Sequence, residues 1–150
     1  ADMRAPLSRF TGLPHRLEWV RTLNQVDFFN DSKGTNTGAV QKSLRGFDRP
    51  LILIMGGRAK GADFSPLAPL LKGRVKHLIL MGEARSEIRS ILNGSFGYQD
   101  ADSMEDAVRL AWTQAAPGDV VLLSPGCASF DMFRDFEDRG ERFKACVNRL

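Results

Sequence analysis

Asn30-Asp31-Ser32-Lys33-Gly34-Thr35-Asn36 brings together an acid, a base and several hydrogen-bonding side chains, with no large apolar residue among them. An apolar, strand-like run precedes it and a helical pattern follows. At the end of a strand, the Asp31 carboxylate can accept hydrogen bonds from ribose hydroxyls or from loop backbone. Thr35 or Asn36 would cap the next helix, whose free N–H groups attract an anion. Lys33 adds a mobile positive charge beside that helix end. A plain strand-to-helix turn, with Asp31 and Thr35 capping backbone groups and Lys33 solvated, accounts for the same residues.

Two further stretches carry comparable chemistry. In Met55-Gly56-Gly57-Arg58-Ala59-Lys60-Gly61-Ala62-Asp63-Phe64 the glycines permit close approach of backbone to a ligand, and Arg58 and Lys60 make the loop electropositive. It is not a Walker loop, because no Gly-Lys-Ser/Thr opens a helix. An anion-tolerant turn is the plainer alternative. In Leu123-Ser124-Pro125-Gly126-Cys127-Ala128-Ser129-Phe130-Asp131-Met132-Phe133, small residues after an apolar run would seat Ser129 at a helix N-terminus with its hydroxyl outward. Phe130, Phe133 and Phe136 recur at three-residue intervals and read mainly as core packing. Asp135–Arg139 and Asp138–Arg142 read as solvated helix pairs. Cys127 lies near a helix start but has no histidine close in sequence, which argues against a nucleophile. His77 opens a buried strand and reads as structural. No cluster has the spacing of a metal site.

Alternating short apolar runs and amphipathic segments must position these loops. Strand patterns occupy 17–23, 26–30, 51–55, 77–81 and 120–123, with a brief one at 96–99. Helical patterns occupy 37–45, 66–71, 83–92, a segment capped by Ser103 and running to 116, and 131–149 with a break at Gly140. Such alternation implies right-handed crossovers. The expected fold is α/β: a Rossmann-like three-layer α/β/α sandwich with a mostly parallel sheet of about six strands. Ligands in such sheets bind beyond the carboxyl ends of the strands, where all three loops fall.

The bulk properties narrow the class. The 150 residues are 43% hydrophobic and 26% charged with a net charge of +3, a composition suited to one domain that buries about 70% of its unfolded surface. Apolar runs are too short to cross a membrane. No charged-then-apolar leader opens the chain, and two cysteines are too few for a disulfide framework or a zinc knuckle. A reducing cytoplasm is expected. The dispersed basic residues favour a small anionic ligand over nucleic acid.

In this order the three loops resemble the C-terminal domain of the Mur ligases, and among them the members that attach D-glutamate. The resemblance runs from Gly12-Leu13-Pro14-His15-Arg16 nearly to the C-terminus, about nine-tenths of the chain. Its anchors are that segment, 30–36, Gly56-Gly57 with Lys60 and Ala62-Asp63-Phe64, and 123–136 ending in Glu137-Asp138-Arg139-Gly140. The Asp-Asn-Pro-Arg string of the diaminopimelate-adding members is absent. Gly34 stands where the family usually has alanine, and Arg58-Ala59 replaces a more usual acidic-glycine pair.

The resemblance implies a bacterial, cytoplasmic step of peptidoglycan synthesis. The carboxylate of UDP-N-acetylmuramoyl-L-alanine is phosphorylated by ATP with Mg2+, and the D-glutamate amine attacks the acyl phosphate. By the same resemblance Lys60, Thr35, Ser129 and Phe136, with the backbone at Phe130, would hold D-glutamate. Arg16, Asp31 and Asn36 would face the nucleotide. Lys33 would take the catalytic part, beside the phosphates or the charge that develops in the tetrahedral intermediate. Residues 1–15 would be a hinge and 16–150 the amino-acid-binding domain. The remaining two domains, which bind UDP and ATP, lie outside this sequence, so the chain alone is expected to be inactive. A related folylpolyglutamate-type amide ligase and a non-catalytic Rossmann-like binding module are the alternatives.

Overall fold

The computed structural model describes residues 13–59, 61–91 and 97–150. A strand β1 (Glu18–Leu23) turns through Asn24 and Gln25 into β2 (Val26–Asn30), and the two pair antiparallel. Both turn residues have positive φ, 51° and 65°, which matches the twist of a two-residue hairpin. Next come α1 (Thr37–Arg45), β3 (Leu51–Gly56), α2 (Ala68–Arg74), β4 (Val75–Met81), α3 (Arg85–Ser90), β5 (Tyr98–Asp100), α4 (Met104–Gln114), β6 (Val120–Leu123) and α5 (Phe136–Asn148).

The six strands form one sheet in the order β1-β2-β6-β3-β4-β5, parallel from β2 to β5. β3 and β6 are buried at every residue, and apolar side chains fill both of their faces. One face packs on α1, α2 and α3 through Val40, Leu44, Leu71 and Ile88. The other packs on α4 and α5 through Ala107, Val108, Ala111, Phe143 and Val147. This is the expected three-layer sandwich. β6 returns to the middle of the sheet between β2 and β3. The chain leaves β2 and β3 toward one face and β6 toward the other, which opens a crevice at their carboxyl ends.

Several local expectations change. The helix expected at 66–71 is a 3-10 turn, Ser65–Leu67, followed by α2. The one expected at 83–92 is shortened to α3. Leu92 and the start of the strand expected at 96–99 lie outside the described residues. The segment expected to be helical from 131 is irregular as far as Asp135, whose carboxylate caps α5 by accepting from Asp138 N (2.7 Å). α5 then runs through Gly140 without a break. A Cβ on Gly140 would lie 2.1 Å from His15 Nδ1 and 2.9 Å from Asn30 Nδ2. The glycine is there for close packing, not for a stop.

The expected helix pairs change as well. Asp138 meets Arg134 (3.7 Å), and Arg142 meets Glu105 (3.3 Å). Arg139 is buried completely. Because 129–135 is not helical, the three phenylalanines do not form one stripe. Phe133 packs on the α4–α5 side, whereas Phe130 is 57% exposed.

Candidate functional site

The loops after β2, β6 and β3 leave three adjacent strands at the same end of the sheet, and short backbone bonds join them. Gly126 N donates to Gly34 O (2.7 Å), and Gly56 N donates to Pro125 O (3.0 Å). Arg58 and Ala128 exchange both backbone bonds, 2.9 and 3.2 Å. Gly57, at φ 140°, makes this contact possible, since a Cβ there would lie 2.4 Å from Ala128 O.

Asp31 is the organiser of the first loop. It is 3% exposed, and its Oδ2 accepts from Ser43 Oγ (2.5 Å) and Ser124 Oγ (2.8 Å). Its Oδ1 accepts from Leu17 N (3.2 Å). Burial pushes its carboxyl above the ordinary aspartate value, against the lowering effect of those bonds and of the nearby Arg16. The partners of this carboxylate within the protein are one backbone N–H and two serine hydroxyls.

Asn36 is the cap of α1, its Oδ1 accepting from Ala39 N (2.9 Å). Thr35 is exposed beside it. Lys33 is exposed, with its backbone N–H held by His15 O (2.9 Å) and its Nζ 5.5 Å from the centre of the Phe136 ring. Phe136 is the first residue of α5 and meets the His15 ring edge-on at 6.0 Å. Arg16 is exposed on the segment that Asp31 holds. Ser129 is 2% exposed and opens the turn after β6, its carbonyl accepting from Met132 N and Phe133 N (3.1 and 2.9 Å). It does not stand at a helix N-terminus, because α5 begins seven residues later. Lys60 lies outside the described residues. The neighbouring cation, Arg58, is turned to Glu83 (3.3 Å).

Beneath these residues lies a group whose role the sequence did not reveal. The Arg139 guanidinium donates to Ser32 Oγ (2.9 Å), Ser32 O (2.7 Å) and Cys127 O (2.9 Å). Ser32 Oγ in turn donates to Phe136 O (2.6 Å). Burial lowers the Arg139 pKa to about 10, which still leaves a cation at neutral pH. The same burial pushes the Cys127 thiol up to about 12, so it is not a nucleophile at neutral pH. Asn30 bridges His15 Nδ1 (2.9 Å) and Glu18 Oε1 (3.1 Å). The glycine inside a helical run, next to Arg139, was the one sequence signal that something packs closely there.

Among the described residues, no three of His, Cys, Asp and Glu gather as a metal ion would require, and no helix is long and apolar enough to cross a membrane. What the arrangement offers is a cluster of polar loops with Arg16 and Lys33 exposed at its surface, Arg139 buried beneath, and the Arg58–Glu83 pair and Asp131 beside it.

Residues 15–127 match the family described as Mur ligase, glutamate ligase domain. The chain is 52% identical over 146 residues to the UDP-N-acetylmuramoylalanine--D-glutamate ligase of Geotalea uraniireducens, covering 97% of this chain and 32% of that protein. It is 49% identical over 148 residues to the ligase of the same name from Hahella chejuensis, covering 96% of this chain and 33% of that one. The chain thus spans about a third of the length of these curated relatives. Among solved structures, the bifunctional folylpolyglutamate synthase/dihydrofolate synthase from Yersinia pestis superposes with a TM-score of 0.65 at 19% identity, covering 91% of this chain and 32% of that one. At that identity the likeness is one of fold.

Proposed function

Because this chain belongs to the Mur ligase family, we propose that it is the amino-acid-binding part of an ATP-dependent ligase. The ligase would join D-glutamate to UDP-N-acetylmuramoyl-L-alanine in the bacterial cytoplasm. Residues 1–15 act as the hinge and 16–150 as the domain, and the remaining two domains of the same polypeptide bring the UDP and ATP sites. The observation that carries this reading is the convergence of the 31–36, 124–135 and 56–64 loops on the ends of three neighbouring strands, in a chain about half identical to ligases of that name.

D-Glutamate presents two carboxylates and one amine. Cations and hydroxyl donors must hold the carboxylates and leave the amine free to attack. Lys60 is the countercharge, Thr35 and Ser129 supply hydroxyls, Phe136 is an apolar wall, and Phe130 contributes backbone. Lys33, kept near Phe136, faces the phosphoryl group being transferred and stabilises the charge that develops on it. Arg16 and Asn36 lie on the nucleotide side. Asp31 serves that side by holding the backbone next to Arg16. ATP supplies the phosphoryl group that activates the alanyl carboxylate. The amine then forms the amide as phosphate leaves. Mg2+ is assigned to the other domains.

The test is phosphate release by the full-length enzyme given ATP, UDP-N-acetylmuramoyl-L-alanine and, in turn, D-glutamate, L-glutamate, L-lysine and diaminopimelate. Release that depends on D-glutamate is expected, and Lys60→Ala should raise the KM for D-glutamate while leaving that for ATP nearly unchanged. Release with a different amino acid would overturn the pocket assignment. No release with any of them would overturn the ligase reading.

A further inference from the structure

We propose that Arg139 is a positioning residue for the amino-acid substrate. Its buried guanidinium ties the loop after β2 to the loop after β6 and to the start of α5, and so sets the separation between the Lys33–Thr35 loop and the Ser129 turn. The inference rests on the reading above. Arg139 is the largest side chain buried completely, and among the described residues its hydrogen-bond acceptors are neutral: the hydroxyl and carbonyl of Ser32 and the carbonyl of Cys127. Taking a cation out of water without a hydrogen-bonded carboxylate is costly. Asp31 and Asp131 lie close enough to act on the Arg139 charge, so what the guanidinium supplies to the site is three donors in one rigid plane, more than a neutral side-chain amide offers.

The placement supports the same assignment. Ser32 adjoins Lys33. Cys127 is two residues before Ser129. Phe136 stands one helical turn before Arg139, and its carbonyl accepts from the same Ser32 hydroxyl that receives Arg139 Nε. One planar fork therefore ties together the chain next to two of the residues assigned to D-glutamate, Ser129 and Phe136, and next to Lys33 on the phosphoryl side. Lysine could keep the charge but not that geometry.

The experiment uses the full-length enzyme with Arg139→Lys and Arg139→Met, recording kcat and the KM values for D-glutamate and ATP. Arg139→Lys should raise the KM for D-glutamate about tenfold and Arg139→Met further, with the KM for ATP within about threefold of wild type. A purely structural tie predicts fewer active molecules, hence a lower kcat with the KM for D-glutamate unchanged, and that result would overturn the proposal. If neither variant folds, Ser32→Ala decides, because it removes one acceptor and leaves the guanidinium in place. A rise in the KM for D-glutamate alone supports the role, and an unchanged KM rejects it. Failure of the ligase reading would appear separately, as wild-type enzyme that does not use D-glutamate.

Discussion

Asp31 illustrates how one side chain can be read two ways until its partners are known. A carboxylate at the end of a strand suits a ribose, yet here Leu17, Ser43 and Ser124 take up both oxygens. These partners come from the entry segment, from α1 and from the loop after β6, so the carboxylate joins pieces of chain far apart in sequence. Replacing it with alanine would leave a buried N–H and two hydroxyls without their acceptor, at a cost of about 2–3 kcal/mol. Asp31→Asn keeps an acceptor for one of them, and the hydroxyls can turn to accept from its amide. Chemical denaturation should therefore show Asp31→Ala well below wild type and Asp31→Asn within about 1 kcal/mol of it. Equal losses for the two variants would mean that the charge, rather than the acceptor geometry, is what the loop requires.

Helix α5 is the element that locks the crevice from below, and Gly140 lets it do so. His15 has φ 66° and fits against the helix where a Cβ would collide. Its ring nitrogen receives Asn30, and its carbonyl holds the Lys33 backbone. Gly140→Ala gains helix propensity but must push His15 away, so a net loss of about 1–3 kcal/mol is expected. Thermal unfolding of the variant would measure it, and a stabilised Gly140→Ala would show that His15 yields without cost. The same helix marks the boundary of what sequence could reveal. Apolar spacing located the strands, since each buries its side chains locally. It also located the polar loops, because their composition has no place in a core. It could not reveal that 129–135 stays irregular, because Asp135 and Asp138 look like helix residues until Asp135 is seen to cap. Nor could it distinguish a buried Arg139 from a solvated one, since acceptors from two distant loops decide its burial.

At the scale of the whole molecule, every residue assigned to the site that the structure describes sits at one end of the sheet, close to where the entry segment joins. In the proposed full-length ligase, motion of a neighbouring domain would pass through that joint. Glu18 holds it together, accepting from His15 N (3.0 Å), Asn30 Nδ2 (3.1 Å) and Lys144 Nζ (3.1 Å). Partial burial alone would raise its carboxyl pKa, but these three donors outweigh it and hold it below the usual glutamate value of 4.5. A depressed carboxyl contributes stability above its unfolded pKa and loses it as the pH falls through the folded value. The buried Asp31 has the opposite sign. Its raised pKa favours the fold below 3.8, and that contribution is lost as the pH climbs through the raised value. Glu18→Gln should therefore lower the unfolding temperature at neutral pH, and the gap to wild type should close as the pH falls below 4.5 and through the lowered folded value. Unfolding curves recorded between neutral and acid pH test this. A gap that stays constant across the range would assign the joint to Asn30 and His15 packing rather than to the Glu18 charge.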